Sequence, residues 1–287
     1  MKIKFWGVRG SVPTPWAEAM QVGGNTSCVQ VLTDLDELIV LDSGTGIRLL
    51  GKALIDAQQH RRRQIHLLLS HTHWDHIQGL PFFGLMNFPD NQITIYGADK
   101  PQKTLEEIVR AQMQYEYFPV ALHEAAAAIN FRPLAEEPFE IGPIKIRTAM
   151  FNHPGGVYGY RLEYQDQVLV YATDMEYTQD SLDPKLVAFA KDADLLIYDA
   201  QYTPEEYCIK QGWGHSNHLL AAHLAKSAGV DQLYLFSHDP DHADRALEAM
   251  EVQAREIFPA THLAREGAVV ALGRRATVPR GLSDTDI

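Results

Sequence analysis

The sequence predicts an α/β protein in which two mixed β-sheets pack face to face with helices outside, an αββα four-layer sandwich. Two observations carry that prediction. Strand-type runs dominate the first half, and in the second half short apolar runs alternate with amphipathic helical stretches. Each half therefore holds enough strand for a sheet and enough helix to cover one face of it. No repeat, low-complexity tract or Pro/Gly/Ser-rich linker interrupts the 287 residues. One domain over residues 1–287 follows, with the tail after about residue 275 expected to be peripheral.

The elements follow in order. Ile3–Val8, Ser27–Thr33 and Leu38–Leu41 read as the first strands, the opening one as an edge strand. Asp42-Ser43-Gly44-Thr45-Gly46 then opens a helix from about Ile47 to Gln58. Ile65–Leu69 is a short strand that runs into a histidine cluster, and Ile93–Tyr96, Ile144–Ala149, Tyr158–Tyr164 and Val168–Ala172 continue the pattern. Thr104–Gln114 and Leu182–Lys191 are helical, Leu195–Tyr198 is a strand, and Asn217–Ser227 is a helix with Ser216 as its N-cap. Leu233–Phe236, the amphipathic helix Asp244–Ile257 and a last strand Val269–Leu272 complete the series. The aromatic segment Gln112–Val120 fits a lid, a subunit contact or the end of the preceding helix equally well.

Composition narrows the class. Hydrophobic residues at 46% and charged residues at 22% exclude a disordered or fibrous chain. No apolar run approaches the roughly 20 residues that cross a bilayer, and Met1–Val8 is too short and too interrupted for a secretory signal. Only Cys28 and Cys208 are present, so no disulfide framework exists, and a cytoplasmic location is expected. The net charge of −12 disfavours a long nucleic-acid track, which relies on Lys and Arg to neutralise phosphates. It leaves room for a small anionic substrate held through metal ions. A homodimer is expected, as the commonest soluble assembly.

The strongest chemical signal is Ser70-His71-Thr72-His73-Trp74-Asp75-His76, with three imidazoles and a carboxylate within six positions directly after a strand. Imidazole and carboxylate are the ligands of borderline divalent metals such as zinc. Two positions apart on extended backbone, His71 and His73 point to one side. A lone histidine is usually a satisfied core or surface residue, but this spacing after an apolar run marks a metal site.

Together with the Leu41-Asp42-Ser43-Gly44 turn, the motif resembles the metallo-β-lactamase superfamily. The resemblance implies the αββα fold and a dinuclear centre at the sheet edge. It also implies where the remaining ligands lie: His153 in Phe151-Asn152-His153-Pro154-Gly155, Asp174 in Tyr171-Ala172-Thr173-Asp174, and His238 in Phe236-Ser237-His238-Asp239. On that matching His71, His73 and His153 hold one ion, Asp75, His76 and His238 the other, and Asp174 bridges them with a hydroxide. The β-lactamases themselves place Cys at the position of Asp174, and the diiron oxidoreductases usually place Glu at that of His73. Both departures imply a hydrolase that does not act on antibiotics. Zinc is the expected metal, with manganese or iron as alternatives.

A second constellation, Tyr198-Asp199-Ala200-Gln201-Tyr202 after a strand and Gly212-Trp213-Gly214-His215-Ser216 before a helix, resembles the ribonuclease Z and small phosphodiesterase branch. Carried over, Asp199 orients His215, and His215 contacts phosphoryl oxygens or protonates the leaving group. That branch typically has His-Glu-Ala-Thr where this chain has Tyr198-Asp199-Ala200-Gln201, and the Gly-Pro-rich basic arm that grips transfer RNA has no counterpart here. Arg61-Arg62-Arg63 reads as a solvated face. His60, His66, His123, His218, His223, His242 and His262 lack ligand-like spacing. Asn25 and Ser216 are candidate substrate contacts. Trp16, Tyr158, Tyr202 and Trp213 have ring faces that suit base stacking but are more often packing.

The expected function is therefore a metal-dependent hydrolase, with Asp75, His215 and Asp199 as its catalytic groups. A metal-bridging hydroxide attacks a small phosphodiester such as a cyclic nucleotide. The alternatives are a ribonuclease Z-like endonuclease on transfer-RNA precursors, an ester, thioester or lactone hydrolase, and a metal-loaded binding or sensor domain.

Overall fold

A computed structural model describes residues 1–176 and 182–273. It has the predicted layering, with two seven-stranded sheets back to back. The first contains β1 (Lys2–Gly7), β2 (Cys28–Leu32), β3 (Leu38–Leu41), β4 (Gln64–Leu68), β5 (Gln92–Gly97) and β6 (Ala128–Pro133), and between them lie α1 (Gly46–Asp56) and the single turn α2 (Trp74–Ile77). After β5 comes α3 (Leu105–Ala111). The second sheet contains β7 (Phe139–Ile141), β8 (Ile144–Phe151), β9 (Val157–Tyr164), β10 (Gln167–Ala172), β11 (Leu195–Asp199), β12 (Gln232–Phe236) and β13 (Thr261–Leu263). Helices α4 (Pro184–Ala190), α5 (Pro204–Ile209), α6 (His218–Ala228) and α7 (Asp244–Ile257) belong to that half, and β14 (Val269–Ala271) returns to the first sheet.

Each sheet is antiparallel in its first part and parallel in its last. β3 through β6 are parallel neighbours, as are β10 through β13. Parallel strands end together, so their carboxyl ends form one rim, the usual place for a ligand in an open α/β sheet. Alternation along β1 buries Ile3 and Phe5, whereas β3 and β11 are buried throughout because both of their faces are covered. Ile39 and Leu41 meet Ile146, Tyr160, Leu162 and Tyr171 between the sheets. On the outer side, Leu50 of α1 and Leu105 and Val109 of α3 cover Val40, Leu67 and Ile95. Each such fully buried aliphatic side chain contributes roughly 1.5–3 kcal/mol.

Some local expectations are corrected. β1 is not an edge strand, because β14 pairs antiparallel with it and takes the edge. The cap of α6 is Asn217, whose side chain accepts from Leu219 N and Leu220 N, and not Ser216. In the segment Gln112–Val120, α3 has already ended; Met113 is buried, Phe118 packs edge-on against Phe82, and Tyr115 and Tyr117 are exposed. The tail after residue 275 lies outside the described residues. Among the described residues no helix is long and apolar enough to cross a membrane.

Candidate metal centre

The carboxyl end of β4 delivers the histidine cluster. From Ser70 onward the chain leaves the sheet in extended form, and the rings of His71 and His73 lie 4.5 Å apart, centre to centre. His153 follows the end of β8 and brings its ring 4.6 Å from that of His71 and 4.8 Å from that of His73. The Nδ1 of His153 is 2.8 Å from the Gly214 carbonyl, which can only accept, so Nδ1 carries the proton and Nε2 the lone pair. That lone pair faces His73 Nδ1 at 3.0 Å, while His71 Nε2 is buried without a hydrogen bond. Burial holds the pKa values of His71, His73 and His153 below the ordinary imidazole value, so the rings are neutral and their lone pairs are available. Converging neutral imidazole nitrogens are what a divalent cation requires.

Asp174 follows β10 and sits beside this triad. Its Oδ2 is 3.7 Å from His71 Nε2 and 3.1 Å from His76 Nε2, so one carboxylate oxygen faces both groups. His76 Nε2 also lies 3.2 Å from Asp75 Oδ2. The opposite nitrogen, His76 Nδ1, is 2.8 Å from Asp42 Oδ2. Asp42 is buried and also accepts from Ser70 N, Ser70 Oγ and the Tyr171 hydroxyl. It fixes the His76 tautomer and aims Nε2 at Asp174 and Asp75. Burial opposes charge on His76, yet Asp75, Asp174 and Asp42 together raise its pKa well above the usual value. A cation at Nε2 would take the place of that proton. His71, His73 and His153 thus form one donor group, and His71, His76 and Asp174 an adjoining one.

Asp199 ends β11, and its Oδ2 is 2.8 Å from His215 Nδ1. Its Oδ1 accepts from Ser216 N at 2.7 Å. Burial works against the His215 charge, but Asp199 and Asp174 lift its pKa to about 9. With Nδ1 committed to Asp199, Nε2 is the nitrogen left to meet a ligand. His215 belongs to the loop Gly212–Ser216, which a residue unnoticed in the sequence holds in place. Glu176, two positions beyond Asp174, accepts from Gly212 N and Gly214 N. Trp213 in this loop and Trp74, next to His73 in the sequence, are exposed.

Six of the seven expected metal ligands lie in this cluster, and His238 does not. Its Nε2 donates to the Ala264 carbonyl at 3.0 Å, its ring is fully buried, and it belongs to none of the donor groups among the described residues. Burial and the Arg9 charge push its pKa down to about 3. The residue before it, Ser237, turns through a left-handed backbone (φ 57°) and donates its hydroxyl to Asp174 Oδ1 at 3.2 Å. The two candidate substrate contacts are engaged within the protein. Asn25 is bound through its side chain and its backbone N–H to Glu266. Ser216 is fully buried, with its N–H on Asp199. Tyr158 and Tyr202 are buried, so they pack and do not stack on a ligand. Glu176 lies outside every motif read from the sequence, and Asp42, Gln201 and Ser237 stand within such motifs without a role assigned to them there.

Residues 38–238 match the family model of the beta-lactamase superfamily domain. Ribonuclease Z from Oceanobacillus iheyensis is 23% identical over 318 residues, an alignment that covers 94% of this chain and 99% of that protein. The fold of human tRNase Z, short form, superposes with a TM-score of 0.67 at 19% identity, covering 95% of this chain and all of that one. A diphosphatase from the PhnP family superposes with a TM-score of 0.68 at 17% identity, covering 95% and 98% of the two chains.

Proposed function

Because the chain belongs to the metallo-β-lactamase superfamily of hydrolases, we propose that it cleaves phosphodiesters at a two-ion centre, with a small diester such as a cyclic nucleotide as substrate. One observation carries this reading. A protonated imidazole, His215, stands beside the same carboxylate, Asp174, that adjoins the neutral imidazole triad. Groups able to serve a nucleophile and a leaving group therefore adjoin one carboxylate.

His71, His73, His153 and Asp174 would hold one ion, and Asp75, His76 and Asp174 the other. The chemistry supplied by bound ions at such a centre is activation of water near neutral pH and neutralisation of phosphoryl charge. The chain contributes the rest. Asp75 Oδ2 is fixed by the Ser11 N–H at 2.8 Å, where it orients the attacking water. His215 Nε2 gives its proton to the departing oxygen, and Asp199 stabilises the imidazolium beforehand. The exposed rings of Trp74 and Trp213 offer faces for a base or aryl group at the rim.

A ribonuclease Z-like action on precursor transfer RNA is the second reading, supported by alignment with ribonuclease Z over 94% of the chain. The net charge of −12 weighs against it. Bis(p-nitrophenyl) phosphate turnover that disappears in His71→Ala and Asp174→Ala is the expected result. A panel of cyclic AMP, cyclic GMP and precursor transfer RNA then separates the two readings. Hydrolysis confined to thioesters or lactones would reject both.

A further inference from the structure

Just beyond β1, one residue holds a backbone shape that its chemistry does not favour. Ser11 has φ 62°, in the left-handed region, although it is not a glycine. Val12 N donates to the Gly10 carbonyl across it at 2.7 Å, which closes a three-residue γ-turn of the rare, strained hand. Such backbone costs stability and persists only where its surroundings impose it, most often at a functional site.

The surroundings that impose it belong to the metal centre. Gly10 N donates to the His238 carbonyl and His238 N to the Val8 carbonyl, which clamps the chain to the end of β12. A Cβ on Gly10 would fall 2.4 Å from Gln201 Oε1 and 2.6 Å from Ser237 Oγ, so only glycine lets the turn press down this far. Ser11 itself is then held twice. Its N–H donates to Asp75 Oδ2 at 2.8 Å, and its Oγ accepts from Gln201 Nε2 at 3.3 Å. Gln201 is buried, and its other neighbours, the hydroxyls of Tyr202 and Ser237, each stand 3.5 Å away.

A serine hydroxyl both accepts and donates, with one proton to give. Gln201 uses the accepting side, and among the described residues no hydrogen bond takes the proton of Ser11 Oγ. The residue is exposed, and its main chain sits on Asp75, whose Oδ2 is 3.2 Å from His76 Nε2. An uncommitted O–H therefore stands at the solvent side of the donor groups. Non-bridging phosphoryl oxygens carry negative charge and only accept, so they are the natural partner for it.

Resting on the phosphodiester reading above, we propose that Ser11 is a substrate contact: its hydroxyl, turned outward by the strained γ-turn and propped by Gln201, donates to a non-bridging oxygen of the phosphodiester. One residue then serves both sides of the reaction centre, with its N–H on Asp75 and its O–H on the substrate.

The test uses the full chain loaded with zinc, with bis(p-nitrophenyl) phosphate for turnover and inorganic phosphate as the binding probe in calorimetry. Ser11→Ala removes the hydroxyl and keeps the N–H on Asp75. Turnover and phosphate affinity should each fall about 10–100-fold, the usual worth of a hydrogen bond to a charged group, with zinc content unchanged. Ser11→Gly removes the same hydroxyl and relieves the left-handed strain, so it should show the same losses and decides the matter if Ser11→Ala does not fold. The two enantiomers of methyl p-nitrophenyl phosphorothioate add a positional readout. Where sulfur, a poor acceptor, takes the contacted position, Ser11→Ala and the unaltered chain should differ little, and in the other enantiomer the full factor should return. Turnover and phosphate affinity equal to those of the unaltered chain in both variants would overturn the contact and leave the phosphodiesterase reading standing. Zinc lost along with turnover in both variants would equally overturn it, since the residue would then serve Asp75 alone. Absence of phosphodiester turnover in the unaltered chain would remove that reading and the contact with it.

Discussion

Gly214→Ala isolates the link between the His215 loop and the imidazole triad. Gly214 has φ +93°, and a Cβ there would lie 2.2 Å from His153 Nδ1, 2.5 Å from its Cε1 and 2.6 Å from Pro154 Cδ. The ring and the proline are both stiff, so the collision must displace His153. The displaced ring loses its 2.8 Å hydrogen bond to the Gly214 carbonyl. Backbone strain costs about 1–3 kcal/mol, and an unmet buried polar group about 1–3 kcal/mol more. Loss of the partner that sets the His153 tautomer should lower metal affinity about 10–100-fold. Gly212→Ala is the control, since Gly212 has φ +87° with nothing within 4 Å of its Cβ position. It should carry only the backbone cost of about 1–3 kcal/mol and leave zinc affinity intact. Thermal unfolding of the metal-free proteins and zinc titration of each give both quantities. Equal zinc affinity in the two variants would refute the coupling.

Three further outcomes are expected. Asp42→Asn removes the carboxylate that His76 Nδ1, Ser70 and Tyr171 share, and should weaken the ion at His76 by about 10–100-fold in a dialysis measurement; unchanged occupancy would count against the orienting role. Asp199→Asn strips His215 of its anionic partner. A general acid works only while protonated, so activity falls as pH rises through its pKa, and the alkaline limb near 9 should move toward or below the ordinary imidazole value. A limb that stays put would exclude His215 as the acid. His238 has a folded pKa of about 3, depressed below its unfolded value, so the unfolded chain binds the extra proton and stability falls as pH drops below about 6.5. His238→Gln should flatten that fall by up to about 1.4 kcal/mol per pH unit in urea unfolding of metal-free protein; parallel curves would contradict it.

What the sequence makes legible is whatever local pattern determines. The alternation in β1 and the apolar runs of β4, β11 and β12 identify strands because burial on one or both faces writes itself into residue order. His71 and His73 are legible because two imidazoles at alternate positions after a strand have few other uses, whereas His153 is reached only through the family resemblance. β6, with most of its side chains exposed, and the three-residue β7 and β13 are not, because pairing with neighbours rather than their own composition makes them strands. His238 illustrates the same limit at the site. Its place after β12 suggests a ligand, but which of two consecutive residues faces Asp174 depends on the left-handed turn at Ser237, a backbone choice that an L-residue does not announce. Glu176 is silent for a related reason, since its partners Gly212 and Gly214 lie far along the chain.

The site also lies on the seam between the sheets, and that ties metal affinity to folding. His71, His73, Asp75 and His76 come from the end of β4 in one sheet, while His153 and Asp174 come from β8 and β10 in the other. Tyr171 reaches across to Asp42, the Tyr160 hydroxyl donates to the Leu69 carbonyl at 2.6 Å, and Tyr158 N donates to the Ser70 carbonyl at 2.8 Å. These bonds set the two rims at one separation before any ion arrives. Asp42, Asp174 and Ser237 all hold positive φ just beyond β3, β10 and β12, a strain of order 1–3 kcal/mol apiece that neighbouring strands must sustain. An ion gripping donors from both rims repays some of that strain, and since the unfolded chain presents no such arrangement, part of its binding energy becomes folding energy. On that reasoning preorganisation across the seam and metal binding would reinforce each other, and a glycine outside the donor groups, Gly214, would govern how tightly an ion is held.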